Sequence, residues 1–423
     1  MRILRVTGRQ VLDSRGNPTV EAEVYTVDGV FSAIVPSGAS TGEREALELR
    51  DGRRMYLGKS VFKAVENIEE VIAPEILGMN VLSQKEIDEK MIELDGTKTK
   101  SNLGANAILA VSMAVCRAGA AADNKPLYMH LANLSGRRGD IMPTMQLNVM
   151  NGGKHAGLEN DIQEQMIMST GAHSYSEALQ IGVEVYHVLK NVLKDKFGHQ
   201  GILLGDEGGF VPKVFNVEER LDLMMKAIEE AGYLEEISLA LDAASSEFYR
   251  DEKYNLYDKI YSSGELIDFY SYLGSKYPIL SLEDGMAEND WAGWKELTSK
   301  LGGKLNIVGD DLLVTNTTYI RKAMKEKSCN ALLLKLNQIG TVTESIEAAT
   351  LSFKNNWQVI VSHRSGETED AFIADLAVGL DAGQSKFGGL ARSDRNSKYN
   401  QLLRIEDTLG ERAKYAGMTP FKR

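Results

Sequence analysis

Residues 357–370 read WQVIVSHRSGETED. The first half, Trp357-Gln-Val-Ile-Val-Ser362, is a short β-branched and aromatic run of the kind that fills a buried strand. The second half crowds His363, Arg364, Glu367, Glu369 and Asp370 among small hydroxyl residues and a glycine. A strand that stops at so polar a loop has a bland reading, a solvated turn before a helix. It also has a sharper one, a loop that holds an anion. What stands at the ends of the other strands decides between them.

Working outward, the pattern recurs. Ile237-Ser-Leu-Ala-Leu ends in Asp242, Ile279-Leu-Ser-Leu in Glu283-Asp284, Leu305-Asn-Ile-Val-Gly in Asp310-Asp311, and Ala331-Leu-Leu-Leu in Lys335. Helical patterns separate these runs. Strand–helix alternation over about 280 residues predicts a parallel sheet whose size suits a closed (β/α)8 barrel, with a doubly wound open sheet as the rival. No GxGxxG follows the first strand, so a dinucleotide fold has no support. In a barrel all these strand ends lie on one rim, the rim where active sites form.

A single acid at a strand end reads as a helix cap, and Asp284 and Asp311 suit that role. Carboxylates closing three such strands repel one another, and a hard divalent cation relieves the repulsion. All-oxygen ligation with no nearby His or Cys favours Mg2+ over zinc. Structural ion-pair networks build similar clusters, so the acids alone leave a structural reading open. Two further stretches belong with them. Leu204-Gly-Asp-Glu-Gly-Gly-Phe sets Glu207 among glycines that permit close backbone approach. Val35-Pro-Ser-Gly-Ala-Ser-Thr-Gly42 is small and hydroxyl-rich, the composition of a lid.

The first 130 or so residues differ. Ile3-Leu-Arg-Val, Thr19-Val-Glu-Ala-Glu-Val-Tyr and Phe31-Ser-Ala-Ile-Val alternate and are separated by turn signals, which predicts an antiparallel meander. Helices are expected near 60–70, 84–94 and 104–123, the last Ala-rich and apolar enough to be buried. The polar stretch Ser135-Gly-Arg-Arg-Gly-Asp140 marks a boundary between an N-terminal α+β domain, 1–134, and a barrel domain, 135–423.

Bulk properties exclude some classes. The 48 basic and 60 acidic residues give a net charge of −12, which disfavours nucleic acid and anionic membranes as partners. Two cysteines, neither in a metal-site spacing, fit a reducing cytoplasm. The N-terminus lacks the pattern of a signal peptide, and no run of about 18 apolar residues is read as a membrane span.

The segments VLDSRGNPTVE, PSGASTGEREALELRD, NGGKHAG, QEQMI, GDEGG, LALDAASSEF, SLED, GDDLLVTN, LKLNQIGTVTE, SHRSGETED and GQSKFGGLARSDRNSKYNQLLRIE stand in this order. Together they resemble the enolase family from Val11 almost to the C-terminus. The resemblance implies an N-terminal α+β domain followed by a TIM-like β/α barrel. It implies reversible dehydration of 2-phosphoglycerate to phosphoenolpyruvate with two Mg2+ ions per site, by a homodimer sometimes assembled into octamers. Asp242, Glu283 and Asp310 would hold the Mg2+ that grips the substrate carboxylate, and Ser40 would help bind a second Mg2+. Lys335 would take the proton from C2, and Glu207 would protonate the departing 3-hydroxyl beside Glu164 and Gln163. Arg364 and Ser365 would hold phosphate, Lys386 the carboxylate, and His155 and His363 would close over and line the site. Glu164 is expected to raise the pKa of Glu207, and the cations to lower that of Lys335. A lysine base working beside Mg2+ is a known arrangement of the enolase superfamily itself, so the resemblance brings it rather than the spacing. The acids Glu367, Glu369 and Asp370 are expected to open the next helix. His130, His173, His187 and His199 are read as surface or structural.

Lys154, Gln165, Gly285 and Gly389-Leu390 depart from the usual enolase pattern, which has Ser, Phe, Pro and Ala-Pro there. Two alternatives stay open: a superfamily enzyme for another acid, and a paralog kept for binding or structure.

Overall fold

A computed structural model describes residues 1–38, 44–52, 54–214 and 216–422. Ser40 of the lid stretch lies outside the described residues. The chain opens as the expected meander of β1 (Arg5–Leu12), β2 (Pro18–Thr26) and β3 (Gly29–Ile34). The Asp13 carboxylate shapes the β1–β2 turn by accepting the amides of Arg15 and Asn17 at 2.9 and 2.8 Å. Alternation puts Val20, Ala22 and Val24 inward, all fully buried. They meet the helices α1 (Gln84–Asp95) and α2 (Ala105–Ala122) in one continuous core. Contrary to the sequence expectation, α2 has the length and composition to cross a bilayer, but it is 83% buried within the protein. It is a core helix.

The barrel closes through β4 (Thr144–Asn151), β5 (Glu164–Ser169), β6 (Ile237–Asp242), β7 (Ile279–Glu283), β8 (Asn306–Gly309), β9 (Ala331–Leu334), β10 (Gln358–Ser362) and β11 (Gly383–Gly388). One strand departs from the expected parallel sheet: β5 runs antiparallel to both β4 and β6. The reason is local. Residues 152–163 join β4 to β5 without a crossover helix, and a parallel return needs one. The reversal places Glu164, the first residue of β5, opposite Asp242, the last of β6. Helices on the outside start at side-chain caps: Ser174, Asn216, Asp290 and Thr341 each accept an amide from the first turn, and Ser262 with Glu265 forms a capping box.

Of the three acids expected to open the helix after SHRSGETED, Asp370 alone meets its first residue, accepting the Phe372 amide at 2.8 Å. Glu367 is instead buried within the loop. It accepts the amides of Arg364 and Thr368 and pairs with Lys398 at 2.9 Å. Glu369 is exposed.

Asp370 also joins the two halves of the chain. It takes two bonds from Arg117 of α2, at 2.8 and 2.7 Å, and one from the Ile34 amide at 3.0 Å. Burial pushes its carboxyl up, but Arg117 outweighs burial and holds it below the usual value. The pair therefore stabilises the fold at neutral pH, and that contribution is lost as pH falls through the carboxylate range. Arg117→Met is expected to cost about 3 kcal/mol in urea unfolding at pH 7, the low end for a broken buried pair because Arg117 is partly exposed. The deficit should shrink at acid pH.

Candidate active site

The barrel rim gathers the strand-end residues as the sequence spacing suggested. Asp242, Glu283, Asp310, Lys335 and His363 stand at or just beyond the ends of β6 to β10, Lys386 lies within β11, and all are buried or nearly so. Their pairing is specific. The Lys386 ammonium lies 3.0 Å from Asp242, 2.9 Å from both Glu283 oxygens and 3.1 Å from Glu164. Lys335 bonds Asp310 at 2.5 Å. Gln338 donates to the other Asp310 oxygen at 2.7 Å and is itself fixed by Thr315 at 3.0 Å.

The electrostatics follow from crowding. Burial, then Asp242, pushes the Glu283 carboxyl well above its ordinary value. Burial alone would lower Lys386, but Asp242, Glu164 and Glu283 hold it well above the lysine range. Asp310 is lowered because Lys335 overcomes its burial, and Asp310 in turn raises Lys335 against its own burial. The sequence expectation for Lys335 ran the other way, because it assumed bound cations.

The oxygens of Asp284, Asp310 and Asp311 also come within 4.8 Å of one another. Neither Asp284 nor Asp311 caps a helix as expected, since the neighbouring helices start at Asp290 and Asn316; the two oxygens of Asp284 instead accept the amides of Asp310 and Asp311, on the turn after β8, at 2.9 and 3.0 Å. Burial and Asp310 push Asp311 up to about 8. Asp242, Glu283 and Asp310 meet Lys386, Lys335, Gln338 and the Ala244 amide. All three offer carboxylate oxygen, in a place where negative charge outweighs positive. That donor set fits a hard divalent ion.

On the other side of the pocket, Glu207 sits in the glycine loop. Gly208 has φ +85°, and a Cβ on Gly209 would collide with the Asn151 side-chain oxygen. The loop is pinned to β4 by the Phe210 amide, which donates to Val149 at 2.9 Å. Glu207 accepts from Asn148 at 3.2 Å and faces His363 Nε2 at 3.3 Å. His155 lies 3.4 Å from Glu164 and 3.8 Å from Glu207. Gln163 and Ser365 line the same pocket.

Arg395, which the strand-end pattern does not single out, orients the histidine. It is fully buried and donates to the carbonyls of Arg364, Ser365 and Asp206 and to His363 Nδ1 at 2.5 Å. Arginine only donates, so Nδ1 accepts and Nε2 carries the hydrogen facing Glu207. Burial drives His363 down to about 3, so it is neutral at any physiological pH. Burial pushes Glu207 up, but the hydrogen bond from the neutral His363 ring and the charge of Arg395 work the other way and lower it. Glu164 goes the other way, well above, from burial and then from Glu207. Their surroundings thus push the two acids in opposite directions, Glu164 toward the protonated form and Glu207 toward the ionised one. The sequence expectation had Glu164 raising Glu207; with no cation or substrate in place the direction at Glu207 is the opposite.

Arg364 is held by Glu45 at 3.0 and 3.3 Å and by Asn337 at 3.0 Å. Glu45, Asn337, Gln338, Asn148 and Arg395 are positioning residues the strand-end pattern could not reveal. Each lies inside one of the quoted motif segments or, for Asn148, a few residues before one.

The family model described as the enolase N-terminal domain matches residues 3–131, and that described as the enolase C-terminal TIM barrel domain matches 139–423. The chain belongs to the enolase family. It is 56% identical over 419 residues to the enolase of Thermococcus gammatolerans, covering 98% of this chain and 97% of that protein. The enolase of Thermococcus kodakarensis is similar to the same degree and over the same shares.

The structure explains one departure from the usual enolase pattern. A Cβ on Gly389 would lie 2.5 Å from the Gly208 carbonyl and 2.6 Å from that of Asn148, so the backbones approach too closely for alanine. Gly389→Ala should destabilise the protein by about 1–3 kcal/mol in urea unfolding, the range for overpacking. At Gly285 an added Cβ would crowd Leu282 and Leu297 at 2.9 and 3.0 Å. Gln165 is buried and donates to the Ile162 carbonyl at 3.1 Å.

In nuclear magnetic resonance titrations the His363 ring is expected to show no protonation step between about pH 5 and 8. Its folded value lies below the unfolded one, so it contributes a fall in stability as pH drops below the ordinary histidine value.

Proposed function

We propose that the protein interconverts 2-phospho-D-glycerate and phosphoenolpyruvate, a hydro-lyase step of glycolysis and gluconeogenesis, with Mg2+ as its cation. Membership of the enolase family supports the reaction. The observation that carries it at residue level is one pocket holding a lysine on a carboxylate, a lysine among three carboxylates and an acid pair whose members are pushed in opposite directions.

Each residue then has a task. A proton alpha to a carboxylate is weakly acidic because its loss adds negative charge to a group that already carries one. Asp242, Glu283 and Asp310 would hold the cation that offsets this charge, with Ser40 contributing to a second ion. Lys335 would receive the C2 proton. It can do so only when the charge of Asp310 is engaged elsewhere, since Asp310 now keeps the ammonium protonated. Lys386 would face the substrate carboxylate once its own carboxylates are so engaged. Arg364 offers a planar fork to the phosphate, with Ser365 beside it. Loss of the 3-hydroxyl as water needs a proton from Glu207, and the pair with Glu164 supplies one within hydrogen-bond reach. His155 would close over this pair, with Gln163 beside it.

The same reading extends to organisation. Residues 1–134 would form the capping domain and 135–423 the catalytic one. Exposed Leu4, Leu12, Val27 and Val30 on and beside the meander support a homo-oligomer, dimer or octamer. Two buried free cysteines support a cytoplasmic location.

Purified protein mixed with 2-phosphoglycerate and Mg2+ should produce the ultraviolet absorbance of phosphoenolpyruvate, and EDTA should abolish it. Lys335→Ala should lower turnover at least about a thousand-fold, and Glu164→Gln about a hundred-fold. Folded, Mg2+-loaded protein that forms no product would overturn the reading.

A further inference from the structure

Lys154, one of the departures, stands beside His155 on a single turn, Gly153–Ala156, closed by Gly157 at φ +67°. The base of this β4–β5 loop is rigid. The Gly152 amide donates to the Gln163 carbonyl at 2.9 Å. Asp161 pairs with the fully buried Arg220 and accepts the Gly153 amide at 3.3 Å. Arg220 is fixed in turn on the Val214 carbonyl at 2.8 Å. A Cβ on Gly152 would strike both Asp161 and Arg220, so the pair packs directly on the glycine backbone.

The tip is held differently. Lys154 reaches across to Glu247, on the short turn Ser245–Phe248 that follows Asp242 by a few residues. The pair is partly solvated, with Lys154 62% and Glu247 28% exposed. His155 points from the same turn toward Glu164 and Glu207. Glu247, Gln163 and Ala244 line both the active site and an adjoining cavity of about 230 Å³, which Lys154 also lines. The ion pair thus stands where the two spaces adjoin. With the turn in this position only about 40 Å³ is free at the centre of the site. That is room for a little water and less than a phosphorylated acid fills.

We propose that Lys154 is a positioning residue: its ion pair with Glu247 latches the His155 turn over the site and sets how often the turn opens. This rests on the proposed dehydration only for its kinetic readout. A solvated pair biases an equilibrium by a few-fold and is screened by salt. The latch is therefore weak, reversible and sensitive to ionic strength, as a gate on a turning-over site needs.

Two measurements test it. In hydrogen exchange without substrate, the amides of Ala156, Gly157 and Leu158, bonded within the turn, should exchange about two- to five-fold faster in Lys154→Met than in the parent. Lys154→Arg should restore the parental rate, and raising salt should speed the parent but not Lys154→Met. Equal exchange in the parent and Lys154→Met overturns the latch whether or not the protein makes phosphoenolpyruvate. Absence of product with altered exchange overturns the activity and leaves the latch standing. In the assay, Lys154→Met should change KM for 2-phosphoglycerate and flatten its salt dependence, with Lys154→Arg near the parent. The charge-reversed pair Lys154→Glu with Glu247→Lys should recover protection that either single change loses. Failure of both the reversal and Lys154→Arg to recover it would also overturn the proposal.

Discussion

Too much negative charge in too little space is the constraint on which this molecule turns. Asp242, Glu283, Glu164 and Asp310 are brought to one rim by strands that have no other reason to end in acids. In water such a cluster would fly apart or protonate. Here Lys386 and Lys335 hold it together, and the strain shows in carboxyls pushed in opposite directions. An ammonium satisfies three carboxylates imperfectly, because it has one charge and three directed hydrogens. A divalent ion answers the same charge with more symmetry. A cation bound there would take over the lysine contacts, and the lysines so released would be the groups the proposed chemistry asks for.

The acid pair shows a second use of burial. Two carboxyls close together cannot both ionise easily, and their surroundings decide which one keeps the proton. Arg395 contributes indirectly. By donating to His363 Nδ1 it turns the opposite N–H toward Glu207, which favours the ionised form there. A fully buried arginine thus acts on Glu207 from behind the histidine.

Much of the rim was legible in the sequence because a barrel turns chain position into place. Once Leu241, Leu282, Leu334 and Val361 are read as strand residues, the polar groups that follow them must meet. The meander at the N-terminus was legible for a similar reason, since period-two alternation admits few other structures. What was not legible depends on direction and pairing. The reversal of β5 follows from the lack of a crossover helix between Asn151 and Glu164, a feature hidden because that connection contains helix-like turns. The burial of Glu367 follows from Lys398, far along the chain. The lowered Glu207 follows from Arg395, whose motif carries no sign of what it touches.

The reversed strand also bears on how the barrel comes together. Every parallel neighbour in the closed sheet must wait for an intervening helix to cross back, and that delays its first contact. β4 and β5 need only close a loop of about a dozen residues, which costs less chain entropy than any crossover. Their hairpin is the long-range pairing the barrel reaches most readily. The segment that makes this closure, 152–163, is the one that carries His155 and Lys154. Substitutions there are thus read twice, once by the nascent chain as it seeks its register and again by the finished enzyme as it opens and shuts.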